Sequence, residues 1–298
     1  MKLYNHLNSP VWSQKNASKC LLNGAKTYSE AITKYYYPVF NEYFRGDPET
    51  AVITVTTENK PQKFAGYKRI FLFLHECRYR QQPTVARAKQ FQAENPKAEV
   101  WFIVWESDTA EVLRKQGLHA LFLPMAIDVK EVRKHKVKSN KAKNRIIWFG
   151  NIRNVKKPFY KYFCSVAREN GYAVDTISGS KYNDGPDKLS REEILRCLQY
   201  YDYGVGVGIC AHEMSALGLK VFIYSYNYYC NCAYSKEDGK RLINKNLCSP
   251  EDAHILVSDA IKNMDKMVVI DPVDIRDNIA TLKKLLSENF PSPKNRVV

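Results

Sequence analysis

The stretch that decides the fold is Val205–Ser225, V-G-V-G-I-C-A-H-E-M-S-A-L-G-L-K-V-F-I-Y-S. Tyr203–Val207 reads as a buried strand that breaks at Gly208; a short helix follows, with Glu213 in its first turns, and Gly218 ends it before a new strand at Val221–Tyr224. A strand that leaves through glycine into a helix and returns as a β-branched run is the repeating unit of a parallel sheet. Small residues at such a turn let a ligand approach the backbone, and the helix N-terminus offers N–H groups and a positive dipole to a phosphate. A carboxylate beside it can accept hydrogen bonds from ribose hydroxyls. A tight strand-to-helix turn with a solvated glutamate accounts for the same residues equally well, since glycine-rich turns are common in parallel α/β folds.

Working outward, the same alternation continues on both sides. Upstream, Ile146–Phe149 is a strand, Lys157–Asn170 a helix ended by Gly171, and Ala173–Ile177 another strand. Ser190 with Glu193 forms a capping box that opens the helix Glu192–Tyr200. Downstream, Ser249-Pro250-Glu251-Asp252 is expected to cap a helix running to about Asn263, with proline at its first position. A last long helix, Val273–Glu288, stops at Pro291.

The first half repeats the pattern, with strands at Ala51–Thr56, Ile70–His75, Val100–Trp105 and Ala120–Pro124. Helical stretches at Thr84–Glu94 and Thr109–Gln116 separate them. The basic run Lys130–Arg145 (KEVRKHKVKSNKAKNR) loses its apolar periodicity after Val137 and reads as an interdomain linker. The expected organisation is a first domain over 1–135, a second over 136–272, and a C-terminal helix within 273–298 placed to pack back on the first domain. Both domains are α/β with parallel sheets, and such sheets bind ligands at the carboxyl ends of their strands.

The totals agree with two domains. The chain has 298 residues, 45% of them hydrophobic, enough for two cores. Its formal net charge is +15, with a sequence pI near 9.3. So basic a chain commonly meets nucleic acid, an anionic membrane surface or phosphorylated ligands; plain solubility is the simpler account. No run approaches the roughly 18 apolar residues that span a bilayer, and the N-terminus lacks a signal-type apolar run, so a cytoplasmic location is expected. Eight scattered cysteines fit a reducing compartment. Only Cys230 and Cys232 lie close, without further metal ligands at suitable spacing, and no metal site is expected.

A second informative stretch is Ile146–Pro158, I-I-W-F-G-N-I-R-N-V-K-K-P. Gly150 ends a strand, and Arg153, Lys156 and Lys157 follow. Cations at the carboxyl edge of a sheet can neutralise a diphosphate leaving group. Taken alone, an exposed basic loop in a basic protein is the plainer reading.

Together the two stretches resemble the retaining GT-B glycosyltransferases, the group with glycogen-synthase-like and lipopolysaccharide enzymes. Gly150–Lys156 is similar to that family's glycine, arginine and lysine loop, with Lys156 at the lysine position and Asn151 where arginine is usual. Val205–Glu213 is similar to its E-P-F-G-x-x-x-x-E segment, with Gly208 on the glycine and Glu213 on the second glutamate. Asn246–Ile261 and Trp105–Arg133 resemble further family segments, the latter with Ser107, Gly117, Pro124 and Asp128 in step. The resemblance covers roughly Ile70 to Ile261. It implies two Rossmann-like domains with parallel sheets facing across a cleft. It also implies a nucleotide-sugar donor, UDP-sugar foremost, as substrate with no cofactor.

The implied donor-binding residues are Gly150, Lys157, Gly208, Ile209, His212 and Glu213; the implied catalytic set is His75, Arg153 and Lys156. Two departures stand out. Val205 replaces the family's first glutamate, and Met1–Thr50 lacks its opening strand and glycine-rich loop, carrying the aromatic cluster Tyr35-Tyr36-Tyr37 and Phe40 instead.

Three functional readings follow, two of them with an acceptor. The favoured one is a hydroxymethylated base in DNA, as for some phage enzymes of this fold, with Arg78, Arg80 and Lys34 as acceptor contacts. Another is a lipid-linked or lipopolysaccharide glycan at the membrane face, reached by peripheral contact. The last is a non-catalytic nucleotide-sugar or nucleic-acid binding protein.

Overall fold

The computed structural model describes residues 2–5, 32–44, 47–56, 66–75, 81–137, 140–152, 156–178, 189–224, 228–247 and 254–290. In chain order the elements begin with β1 (Lys2–Asn5), α1 (Tyr37–Tyr43), β2 (Thr50–Thr56), β3 (Arg69–His75), α2 (Gln81–Glu94), β4 (Glu99–Val104), α3 (Ser107–Lys115) and β5 (His119–Phe122). There follow α4 (Val129–Lys134), β6 (Arg145–Phe149), α5 (Lys156–Glu169), β7 (Ala173–Ile177), α6 (Arg191–Leu198), β8 (Tyr203–Gly206) and α7 (Ile209–Ala216). The last are β9 (Lys220–Tyr224), β10 (Tyr229–Asn231), α8 (Lys236–Asn244), β11 (Ile255–Leu256), α9 (Val257–Lys262) and α10 (Ile275–Asn289). They form two compact units, Met1–Pro124 with Arg276–Val298, and Met125–Ile275. Each is a Rossmann-like α/β layer, the fold class expected from the strand–helix alternation.

The first unit is a five-stranded sheet of order β1-β2-β3-β4-β5, parallel throughout. Alternation along β3 and β4 sends Ile70, Leu72, Leu74 and Phe102 into one core with Phe91 of α2 and Leu113 of α3. The opposite face is aromatic. Phe71 and Phe73 meet Phe40 of α1, and Phe290, just past α10, lies 4.9 Å from Trp101 and 5.4 Å from Phe71 between ring centroids. Buried Asn278 of α10 ties this layer down, donating to the Tyr36 hydroxyl at 2.9 Å and to the Pro124 carbonyl at 2.6 Å.

The second unit is a six-stranded sheet of order β11-β10-β9-β8-β6-β7, in which β10 runs antiparallel to β9 and β11 antiparallel to β10. Helices cover both faces. Ile146 and Trp148 of β6 pack with Phe159 and Phe163 of α5 and Val257 of α9, while Ile147 packs with Leu195 of α6 and Met214 of α7. The chain winds from β6 through α5 to β7 on one side, then back through α6 to β8 on the other. The carboxyl ends of β6 and β8 therefore flank the point where the winding reverses, which is where open parallel sheets receive ligands.

Several sequence expectations are corrected. An opening strand exists: β1 pairs in parallel with β2, Leu3 opposite Val52. The basic run is not an extended linker, because its start folds as α4, capped by the Asp128 side chain and anchored by buried Val129 and Val132. The units accordingly part after Pro124 rather than at 135, and the second runs to Ile275. The helix expected from Ser249 starts only at Val257, because Ile255 and Leu256 pair with β10 as an edge strand; Ser249–Asp252 lie outside the described residues. No described helix is long and apolar enough to cross a membrane.

Candidate functional site

The site is built at the reversal point of the second unit. Gly150 leaves β6 at φ 141°, and its N–H donates to the Ile177 carbonyl at 3.1 Å. Its own carbonyl accepts from the Trp148 indole at 3.1 Å. Gly208 leaves β8 at φ 55° and ψ −132° and caps α7, a backbone state that a side chain would strain. Its N–H is held at 3.1 Å by the carbonyl of Leu247, in the turn after α8 where Asn246 and Leu247 both have positive φ. The two glycine turns are adjacent, since a Cβ built on Gly150 would stand 4.0 Å from Cys210 Sγ, in the first turn of α7.

Charge gathers on the same spot. Glu213 of α7 is buried, and its carboxylate is paired with the Arg191 guanidinium, with the two side chains 2% and 59% exposed. Burial pushes the Glu213 carboxyl above the usual range, and Arg191 opposes that rise. Lys156, the first residue of α5, sets its ammonium 5.3 Å from the centre of the Tyr224 ring, which stacks on Trp148 at 5.0 Å. The Cys210 thiol feels all of these groups. Burial pushes it up to about 12, Glu213 adds to the rise, and Lys156 and Arg191 counter it. One buried carboxylate and two cations thus lie within electrostatic reach of the turn between Gly208 and Cys210. Such a set can hold an anion together with a hydroxyl-bearing group. Among the described residues, no group of three or more His, Cys, Asp or Glu is placed to hold a metal ion.

No protein-family model matches the chain, and no curated protein matches it. Solved structures do match. One, from Listeria monocytogenes, is assigned as a UDP-N-acetylglucosamine 2-epimerase; it is 12% identical at a TM-score of 0.41, over 88% of this chain and 94% of that one. A likeness at that distance assigns no activity.

The residues expected from sequence fare differently. Gly150, Lys156, Gly208, Ile209 and Glu213 come together at the reversal point, and Lys157 follows Lys156 in the first turn of α5. His212 does not join them as a surface ligand group. Its ring is fully buried, neither nitrogen has a hydrogen-bond partner among the described residues, and burial pushes its pKa down to about 4. It is a neutral imidazole inside the protein.

Val205, at the position of the family's first glutamate, is completely buried against the layer that includes Trp148 and Phe222. His75 closes β3 opposite Thr56, its side chain outside the described residues, as are Arg78, Arg80 and Arg153. Lys34 is exposed, 4.8 Å above the Tyr35 ring.

Arg191 is the residue sequence reasoning missed. It opens α6, where a cation opposes the helix dipole and the acids Glu192 and Glu193 suit it. That mismatch was the available signal: an arginine in the first turn gains nothing from its own helix dipole.

Proposed function

We propose that the chain is a glycosyltransferase that holds a nucleotide-sugar donor, a UDP-sugar foremost, at the reversal point of its second unit. The observation that supports this most is the buried Glu213 carboxylate, paired with Arg191, beside the Gly208 turn, with Lys156 acting on Cys210 in the same turn. In this reading Glu213 accepts from ribose hydroxyls, while the N–H groups that open α7 face the diphosphate. Transfer breaks the bond from the anomeric carbon to the diphosphate oxygen and forms one to the acceptor oxygen. The acceptor proton passes to the leaving phosphate, whose charge Lys156 and Arg153 stabilise. No protein nucleophile is required.

The acceptor we propose is a hydroxymethylated base in DNA, on the strength of the net charge of +15. Part of the basic run is internally neutralised. Lys134 pairs with Glu131, Lys141 with Asp202 and Arg145 with Asp175, so duplex binding would rest on the remaining cations.

A thermal-shift series tests the donor half, with UDP, GDP, ADP, dTDP and CMP, free and sugar-linked. Ligand bound by the native state raises the transition. One nucleotide should do so, and Glu213→Gln should abolish the rise while the unliganded variant still melts cooperatively. No shift with any nucleotide refutes the donor site. For the acceptor half, duplex DNA binding should fall steeply as salt rises; binding to anionic vesicles but not to DNA would refute the DNA reading.

A further inference from the structure

The Arg191–Glu213 pair is lopsided. The carboxylate is sealed while the guanidinium is mostly in solvent, so a ligand hydroxyl that takes over the Glu213 oxygen held by Arg191 must displace Arg191. Arg191 is also poorly suited to its own place at the head of α6, and its partner lies on another helix. A neutral ligand offering only hydroxyls to Glu213 would strip Arg191 of its partner and return nothing. A ligand that carries hydroxyls and an anion together satisfies both groups at once, which makes the pair a filter for charged ligands.

We infer that Arg191 is a specificity residue which leaves Glu213 when a nucleotide binds and takes the diphosphate, so that the site discriminates nucleoside diphosphates from nucleosides. This rests on the donor-site reading of the same turn. The competing account is that Arg191 does no more than neutralise Glu213. It predicts that removing the guanidinium weakens nucleoside and diphosphate alike.

The test is calorimetric titration of the full-length protein with UDP, GDP, ADP and dTDP, their nucleosides, and inorganic pyrophosphate. Without charge-assisted hydrogen bonds to the diphosphate, Arg191→Ala should bind diphosphates and pyrophosphate roughly 10- to 100-fold more weakly, with nucleoside affinity unchanged or improved. Arg191→Lys should recover part of the loss, since it keeps the charge without the planar fork. Should Arg191→Ala fail to fold because Glu213 is left buried and unpaired, Arg191→Gln keeps a neutral hydrogen-bond donor at that position and leaves Glu213 intact. The diphosphate-to-nucleoside affinity ratio of that variant should fall just as far.

An unchanged ratio in the variants, with the wild type binding nucleotides, overturns the inference and leaves the donor site standing. A wild type that binds none of these ligands overturns the donor site itself, and the inference with it.

Discussion

His212 offers the sharpest check on the inside of the site. Its pKa is pushed from 6.5 down to about 4 by burial alone, so between those values the folded chain binds fewer protons at this ring than the unfolded chain does. The sign follows from linkage: the ring's contribution is complete above pH 6.5 and is lost as pH falls toward 4. Going from pH 7.5 to pH 5, the two titration curves separate by about 2 kcal/mol, or roughly 4–8 °C in the melting temperature of a unit this size. The perturbation is His212→Met, compared with the wild type by urea denaturation at pH 7.5 and pH 5. Neighbouring groups titrate in both proteins, so the difference between the two pH slopes isolates the ring. The variant should be at least as stable at pH 7.5, because two buried, unpartnered nitrogens disappear, and its stability should fall less at pH 5. Equal pH slopes would refute the reasoning. So would a folded His212→Met protein that no longer responds to any nucleotide, since the ring would then belong to the ligand site.

Three further outcomes are expected. Gly204→Ala would put a Cβ 2.3 Å from Met214 Sδ and should cost about 1–3 kcal/mol; adding Met214→Ala should cost less than the sum of the single changes by equilibrium denaturation. Glu213 titrates in the opposite sense to His212, because its folded pKa is raised; its stabilising contribution is complete below 4.5 and declines as pH rises, so Glu213→Gln should flatten the loss of stability between pH 5 and pH 8. Asn278→Ala removes the bonds to Tyr36 and Pro124 and should destabilise the first unit by about 1–3 kcal/mol, with nucleotide-induced shifts of the second unit preserved in the same melts.

Most strands of both sheets were legible because they are short β-branched and aromatic runs bounded by turn residues, and two-residue alternation then assigns their faces. What escaped has particular physical causes. β1 is only Lys2–Asn5, too short and polar to stand out, and it is held by pairing with β2 rather than by its composition. β10 is three residues long, and α8 begins S-K-E-D-G, which reads as a loop until the Ser235 side chain is seen to cap it.

At the site, Gly208 and Glu213 declared themselves through the strand–glycine–helix order. The burial of the His212 ring was not legible because α7 is buried from Ala211 to Ala216, so it has no polar face from which to read inside and outside. Arg191 carried only its mismatch with the helix dipole as a signal; its partner could not be named, because it sits on the next helix and no local period relates residues that far apart.

The route of the chain has a consequence for synthesis. The first unit's sheet is translated by residue 122, yet the aromatic side of that sheet waits for Arg276 onward to cover it, after the whole of Met125–Ile275 has been made. At roughly 5–20 residues per second, that leaves Phe71 and Trp101 without their C-terminal lid for roughly 10–30 s on the ribosome. During that interval the second unit, contiguous in sequence, has every element it needs. The nascent chain should therefore acquire its second unit first, and carry a sticky, half-roofed N-terminal sheet that holding chaperones would recognise until the last helix emerges.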